Sequence, residues 1–129
     1  MSVLSGFTAF NFNEGAPYVS VTKNGVTFNK GVVMKLGYPE YVVLLINAQE
    51  QLIAIQVCTK ETPNAAGFCS PEKKDSSILS IRWNGRDLLN TLRDLMDWDY
   101  TTASYKVEGK LLPEEHAIIF DLKKATTLN

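Results

Sequence analysis

The apolar positions between Tyr18 and Val57 follow three patterns in turn, and each change marks an element. Tyr18-Val19-Ser20-Val21-Thr22 alternates and is rich in β-branched residues, which predicts a half-buried strand. Lys23-Asn24-Gly25 follows, and Asn-Gly tolerates positive φ at both residues, so the chain is expected to turn there and return as Val26-Thr27-Phe28. The spacing then becomes helical, with Val32, Val33 and Leu36 on one face. Asn29 can accept the free N–H groups of the first turn, Gly37 suits the left-handed exit, and Pro39 blocks continuation. A helix this short needs packing against strands to persist. Tyr41 to Ile46 is continuously apolar, so the strand Tyr41–Asn47 is expected to be covered on both faces. A polar turn through Gln51 leads to an antiparallel return at Leu52–Val57. Two strands so apolar belong inside a sandwich, a barrel or an intertwined dimer.

The pattern then lapses and resumes. Thr59 to Ser77 carries Pro63, Asn64, Gly67, Pro71 and a Lys73-Lys74-Asp75 cluster without periodicity, which reads as a linker. A strand at Ile78–Trp83 follows, then Asn84, then a helix from about Gly85 to Asp97. Leu88, Leu92, Leu95 and Met96 form the apolar stripe of that helix, and Arg86, Asp87, Asn90, Arg93, Asp94 and Asp97 its wet side. After a connection at Asp99–Thr102 come a strand at Ala103–Val107, a turn at Glu108-Gly109-Lys110, and a last strand at Ala117–Leu122. The expected plan is an arm over residues 1–17, a βαββ-like half over 18–58, a linker over 59–77, a second βαββ-like half over 78–122 and a tail over 123–129. The fold class is a small α+β domain dominated by antiparallel strands, with both halves around one core. An aromatic-Asn pair precedes each helix, Phe28-Asn29 and Trp83-Asn84, and is compatible with internal duplication.

Composition narrows the function. A chain of 129 residues buries roughly two thirds of its unfolded surface and needs no metal or disulfide staple. Net charge is −1, with three basic and three acidic residues up to Cys58 and ten against eleven after it. Neither part is a basic domain of the kind that binds nucleic acid without sequence preference. Cys58 and Cys69 are read as reduced thiols; with no CxxC and a single His116, no zinc set and no cofactor is expected. The opening MSVLSGFTAF lacks the basic and apolar regions of a signal peptide, and the longest apolar run is strand-sized, so a cytoplasmic protein without a membrane span is expected.

Asn24-Gly25-Val26-Thr27-Phe28-Asn29-Lys30, then Met34-Lys35-Leu36-Gly37, then Val42–Ile46 and Leu52–Ile55 resemble the AbrB/SpoVT-type swapped-hairpin family. The resemblance covers about a quarter of the chain. It implies a strand, a short capped helix and a closing apolar hairpin, in a swapped-hairpin or pseudo-dimeric barrel, with a homodimer as the expected state. It also implies a DNA-associated regulator, of the transcription-regulator or antitoxin kind, that grips DNA through basic residues. The chain departs from the family where Val26 replaces a basic residue, Asn29 a proline, and Pro39-Glu40 a Gly-Asp pair. The charge left in the region is Lys23, Lys30 and Lys35.

Candidate chemistry is sparse. Lys23, Lys30 and Lys35, with Arg82 and Arg86 from the arginine-rich stretch that also holds Trp83 and Arg93, are the expected nucleic-acid contacts. The bland alternative is a core Trp83 with arginines paired to Asp87, Asp94 or Asp97. Phe7, Phe10 and Phe12 form an aromatic arm without basic company, which fits a protein partner better than base stacking. Asp94, Asp97 and Asp99 cluster at the end of the second helix and would serve acid–base chemistry or a cation only if they converged. No nucleophile elbow, phosphate-binding glycine loop or activated Cys–His pair is present. A non-enzymatic DNA-associated regulatory protein is the first expectation, and a protein-interaction module without nucleic-acid affinity the second.

Overall fold

A computed structural model describes residues 3–8, 16–69 and 80–128. Among them nine strands and two α-helices follow in the order β1 (Tyr18–Thr22), β2 (Gly25–Asn29), α1 (Lys30–Lys35), β3 (Tyr41–Asn47), β4 (Leu52–Cys58), β5 (Ala66–Gly67), β6 (Ser80–Trp83), α2 (Arg86–Met96), β7 (Ser104–Leu112), β8 (Ala117–Asp121) and β9 (Thr126–Leu128). One curled sheet, a half-barrel, takes the order β5-β3-β4-β8-β7-β1-β2-β6, with β9 also on β7. Every pairing is antiparallel. The domain is therefore a small mixed one, mostly antiparallel strands with two helices.

The concave face holds the core. In register across it stand Ile53, Phe120 and Gly109, with Ile46 exposed at the end of their row, and beside them Leu44, Ile55, Ile118 and Leu111. Ile53, Ile55, Ile118 and Phe120 are fully buried, and burial of each such side chain stabilises by about 1.5–3 kcal/mol. Phe28 lies at the centre of an aromatic cluster, 5.0 Å from Trp83, 5.7 Å from Phe68 and 6.0 Å from Phe120. The same cluster bridges the two ends of the curled sheet. Trp83 on β6 donates Nε1–H to Gly67 O on β5 at 3.2 Å, and Phe68 packs on Trp83.

Two turns are built alike. The β3–β4 turn ends on Gln51 at φ 57°, the β7–β8 turn on His116 at φ 51°. Gln51 O accepts from Leu122 N at 3.1 Å, and His116 O accepts from Val57 N at 2.9 Å. Each turn thus seals the end of the opposite hairpin along the β4–β8 seam.

Several expectations need correction. Glu108-Gly109-Lys110 is no turn; β7 runs straight through it. A Cβ on Gly109 would stand 2.5 Å from Ile118 and 2.8 Å from the Phe120 ring, so glycine is there to admit the ring. The polar reversal comes later, at Pro113–Glu115. The stretch read as a linker contains β5 and the buried Phe68 and Cys69, whose N–H groups bond to Glu40 O and Pro39 O. The stretch read as a tail contains β9 on the edge of β7. Ile78, Phe10, Phe12 and the Lys73-Lys74-Asp75 cluster lie outside the described residues. Neither cysteine forms a disulfide, and among the described residues no helix is long and apolar enough to cross a membrane.

Candidate functional site

The β1–β2 hairpin turns on Lys23 and Asn24, one residue earlier than the Asn-Gly signal places it. Asn24 keeps negative φ, and Gly25 alone is positive, at 146°. The need for glycine there is one of close approach. A Cβ on Gly25 would lie 2.7 Å from Trp83 O and 3.3 Å from Asn84 Cα. The bare backbone lets the hairpin tip settle against the Trp83-Asn84 junction, with Val26 opposite Trp83 in the ladder. Lys23 and Asn24 are thereby carried to the start of α2.

α2 begins without a side-chain cap. Gly85 is the N-cap, in extended backbone, and no side chain bonds to the first-turn amides. The expected parallel with Asn29 fails here, because Asn84 stands one residue too early to reach them. The buried stripe of α2 is Leu89 and Leu92, with Leu88, Leu95 and Met96 only partly covered. Arg86, Asn90 and Arg93 recur at helical spacing beside Leu89 and share its face. The opposite wall is the turn after α2. Trp98 stacks on Tyr105 of β7 at 4.3 Å, Tyr105 Oη accepts from Asp99 N at 3.3 Å, and Tyr100 Oη donates to Leu89 O at 2.8 Å. Burial pushes the Tyr100 phenol up to about 12.

Between these parts lies a recess of about 430 Å³, lined by Lys23, Asn24, Asn84, Arg86, Leu89, Asn90, Arg93, Tyr100 and Thr101. Three cations and no carboxylate line it among the described residues. Among the described residues the side chains of Lys23, Arg86, Asn84 and Asn90 make no hydrogen bond or ion pair. Arg93 reaches Asp94 at 3.4 Å, an exposed pair that contributes little.

Of the five expected nucleic-acid contacts, Lys23 and Arg86 meet in this recess. Arg82 lies outside it, donating Nε–H to Thr27 Oγ1 at 3.2 Å on the β2–β6 ladder, and Lys30 and Lys35 sit on α1. Arg93, Asn84 and Asn90 join the recess without having been singled out as contacts. Their signal was available in the Arg86, Asn90, Arg93 spacing along one helical stripe. Phe7 is 75% exposed, on a turn closed by a bond from Phe7 N to Leu4 O.

The acidic cluster does not converge. Asp94 pairs with Arg93, Asp97 takes the left-handed position that ends α2, and Asp99 Oδ1 accepts from Thr101 N at 2.9 Å and Thr101 Oγ1 at 2.6 Å. Those bonds hold the Asp99 carboxyl below its ordinary range. Among the described residues no group of three or more His, Cys, Asp or Glu side chains is placed to hold a metal ion. One apolar feature stands apart. Leu45, Ala54 and Ile119 lie side by side on the convex face of β3, β4 and β8, around a depression of about 210 Å³. Leu45 is 45% exposed. No protein-family model, curated protein or solved structure matches the chain.

Proposed function

We propose that the chain is a non-enzymatic, DNA-associated regulatory protein that holds phosphate in the recess at the start of α2. The observation that carries this reading is the convergence of Lys23, Arg86 and Arg93 on one concave surface that no carboxylate lines among the described residues. Lys23 and Arg86, without internal partners among the described residues, gain most from an external anion, and the exposed Arg93–Asp94 pair gives up little when it opens. The net charge of −1 means that the field is local. Binding should therefore depend on a few defined contacts rather than on long-range attraction. The AbrB-type resemblance of residues 26–57 supports a regulatory role, and the matching Gln51 and His116 turns support a pseudo-dimeric half-barrel of two βαββ-like halves.

A salt titration of binding to duplex and single-stranded DNA, read by fluorescence anisotropy on protein sized by light scattering, tests the reading. Two to three phosphate contacts give a slope of log affinity against log salt of about −2 to −3. Lys23→Ala and Arg86→Ala should each flatten the slope by about one. Absence of binding at low salt would refute it.

A second reading, a protein-interaction module, is favoured by the convex Leu45–Ala54–Ile119 row. It is met most simply by a second copy of the chain, and Leu45→Lys should then shift a dimer to monomer in light scattering. A monomer before and after the substitution would remove it.

A further inference from the structure

We propose that the recess is built for a phosphomonoester, the group at a 5′-phosphorylated nucleic-acid end or on a mononucleotide, rather than for the internal diesters of a strand. The proposal rests on the phosphate-binding reading above and narrows it to one chemistry.

Charge is the first ground. Lys23 from the hairpin tip and Arg86 and Arg93 from one stripe of α2 border a single volume of about 430 Å³. Diesters present one negative charge per nucleotide, strung along a line, and suit cations spaced along a groove. A monoester carries about −1.5 to −2 at neutral pH on three oxygens at one point. Three converging cations match the second distribution. Two of them, Arg86 and Arg93, are planar guanidinium forks suited to paired phosphate oxygens.

Shape is the second ground. The recess is walled by the hairpin tip on one side and the Tyr100-Thr101 turn on the other, with Leu89 at its base. A recess of this volume suits a chain end or a single nucleotide better than the convex backbone of a duplex. Its volume lies in the range of small-ligand sites, about 300–1,000 Å³, and leaves room for a nucleoside beside the phosphate. The side-chain amides of Asn84 and Asn90 are unengaged among the described residues and can serve sugar or base edges.

The test compares one short oligonucleotide with a 5′-phosphate and with a 5′-hydroxyl, by anisotropy competition, and adds equilibrium dialysis with labelled dAMP. The 5′-phosphorylated strand should bind at least about tenfold tighter, and dAMP should bind where deoxyadenosine does not. Arg86→Ala should erase the preference without changing the circular dichroism or melting of the chain, and Lys35→Ala on α1 should keep it. Equal, salt-sensitive binding of both strands would overturn the monoester proposal and leave DNA association standing. Binding of dAMP with neither strand retained would support the monoester site and overturn the nucleic-acid reading. Failure of all three ligands would overturn both.

Discussion

Phe28-Asn29 and Trp83-Asn84 each lead into a helix, Asn29 as the N-cap of α1 and Asn84 one residue before the N-cap of α2, and they part at the asparagine side chain. Asn29 Oδ1 accepts from Val32 N at 3.1 Å and Tyr18 N at 3.0 Å, while its Nδ2 donates to Ala16 O at 2.9 Å. It ties the first turn of α1 to the start of β1, and α1 buries Gly31, Val32 and Val33 behind it. Both polar atoms of the Asn29 side chain are thus spent within the fold. Asn84 is exposed and, among the described residues, uncommitted, Gly85 caps the helix with backbone alone, and Lys23, Arg86 and Arg93 line the same recess. The same dipeptide grammar therefore serves a structural joint at one helix and an open, cation-lined recess at the other. The difference shows that an N-terminal helix junction becomes a candidate site when its donors are left over, not because of its motif.

Substitutions can break this contrast in graded steps. Gly25→Ala should have the largest effect, since a Cβ at φ 146° meets Trp83 O at 2.7 Å and backbone cannot yield cheaply. A loss of about 3 kcal/mol in urea unfolding is expected, with weaker phosphate binding as the hairpin tip lifts from α2. Asn29→Ala should cost about 2 kcal/mol, because a cap and two further bonds disappear together, and should leave the recess competent. Tyr100→Phe should cost about 1 kcal/mol at pH 7 through the lost bond to Leu89 O. Its pH behaviour sharpens the point. Burial raises the folded-state phenol from 10.0 to about 12, so the wild-type chain loses stability as pH rises from about 10 through 12. Unfolding at pH 9 and pH 11 should show that part of the loss missing in the Phe variant. Asn84→Ala should change stability by less than about 0.5 kcal/mol, as expected of an exposed side chain without partners, while lowering ligand affinity. If Asn84→Ala proved as damaging to folding as Asn29→Ala, the contrast would fail.

The first half was largely legible. Tyr18–Thr22 and Tyr41–Asn47 are strands over the residues their alternation and continuous apolarity indicate, and Asn29 caps α1 with its side chain. At Tyr18–Thr22 and Asn29 local pattern and tertiary packing agree, whereas Tyr41–Asn47, expected to be covered on both faces, leaves Leu45 and Ile46 exposed. Pattern and packing disagree at Gly109, where a glycine flanked by charges reads as a turn but makes room for Phe120 from the neighbouring strand. A pattern along one chain carries no record of what packs across it. Thr126–Leu128 is too short to announce a strand and becomes one only by lying on β7. Lys23 and Arg86 were legible as charges. Their meeting was not, because it depends on Gly25 fitting under Trp83 O and on Tyr100 closing back onto Leu89. Arg82, Lys30 and Lys35 look equivalent to them in sequence and fall elsewhere for the same reason.

The most direct measurement is a ¹H–¹⁵N NMR titration of the full chain with a 5′-phosphorylated dinucleotide. Shifts should concentrate at the amides of Lys23, Asn24 and residues 84–93, with the Asn29–Val33 junction unmoved. Perturbation centred on α1, or no perturbation at millimolar ligand, would contradict the assignment of the open junction as the binding site.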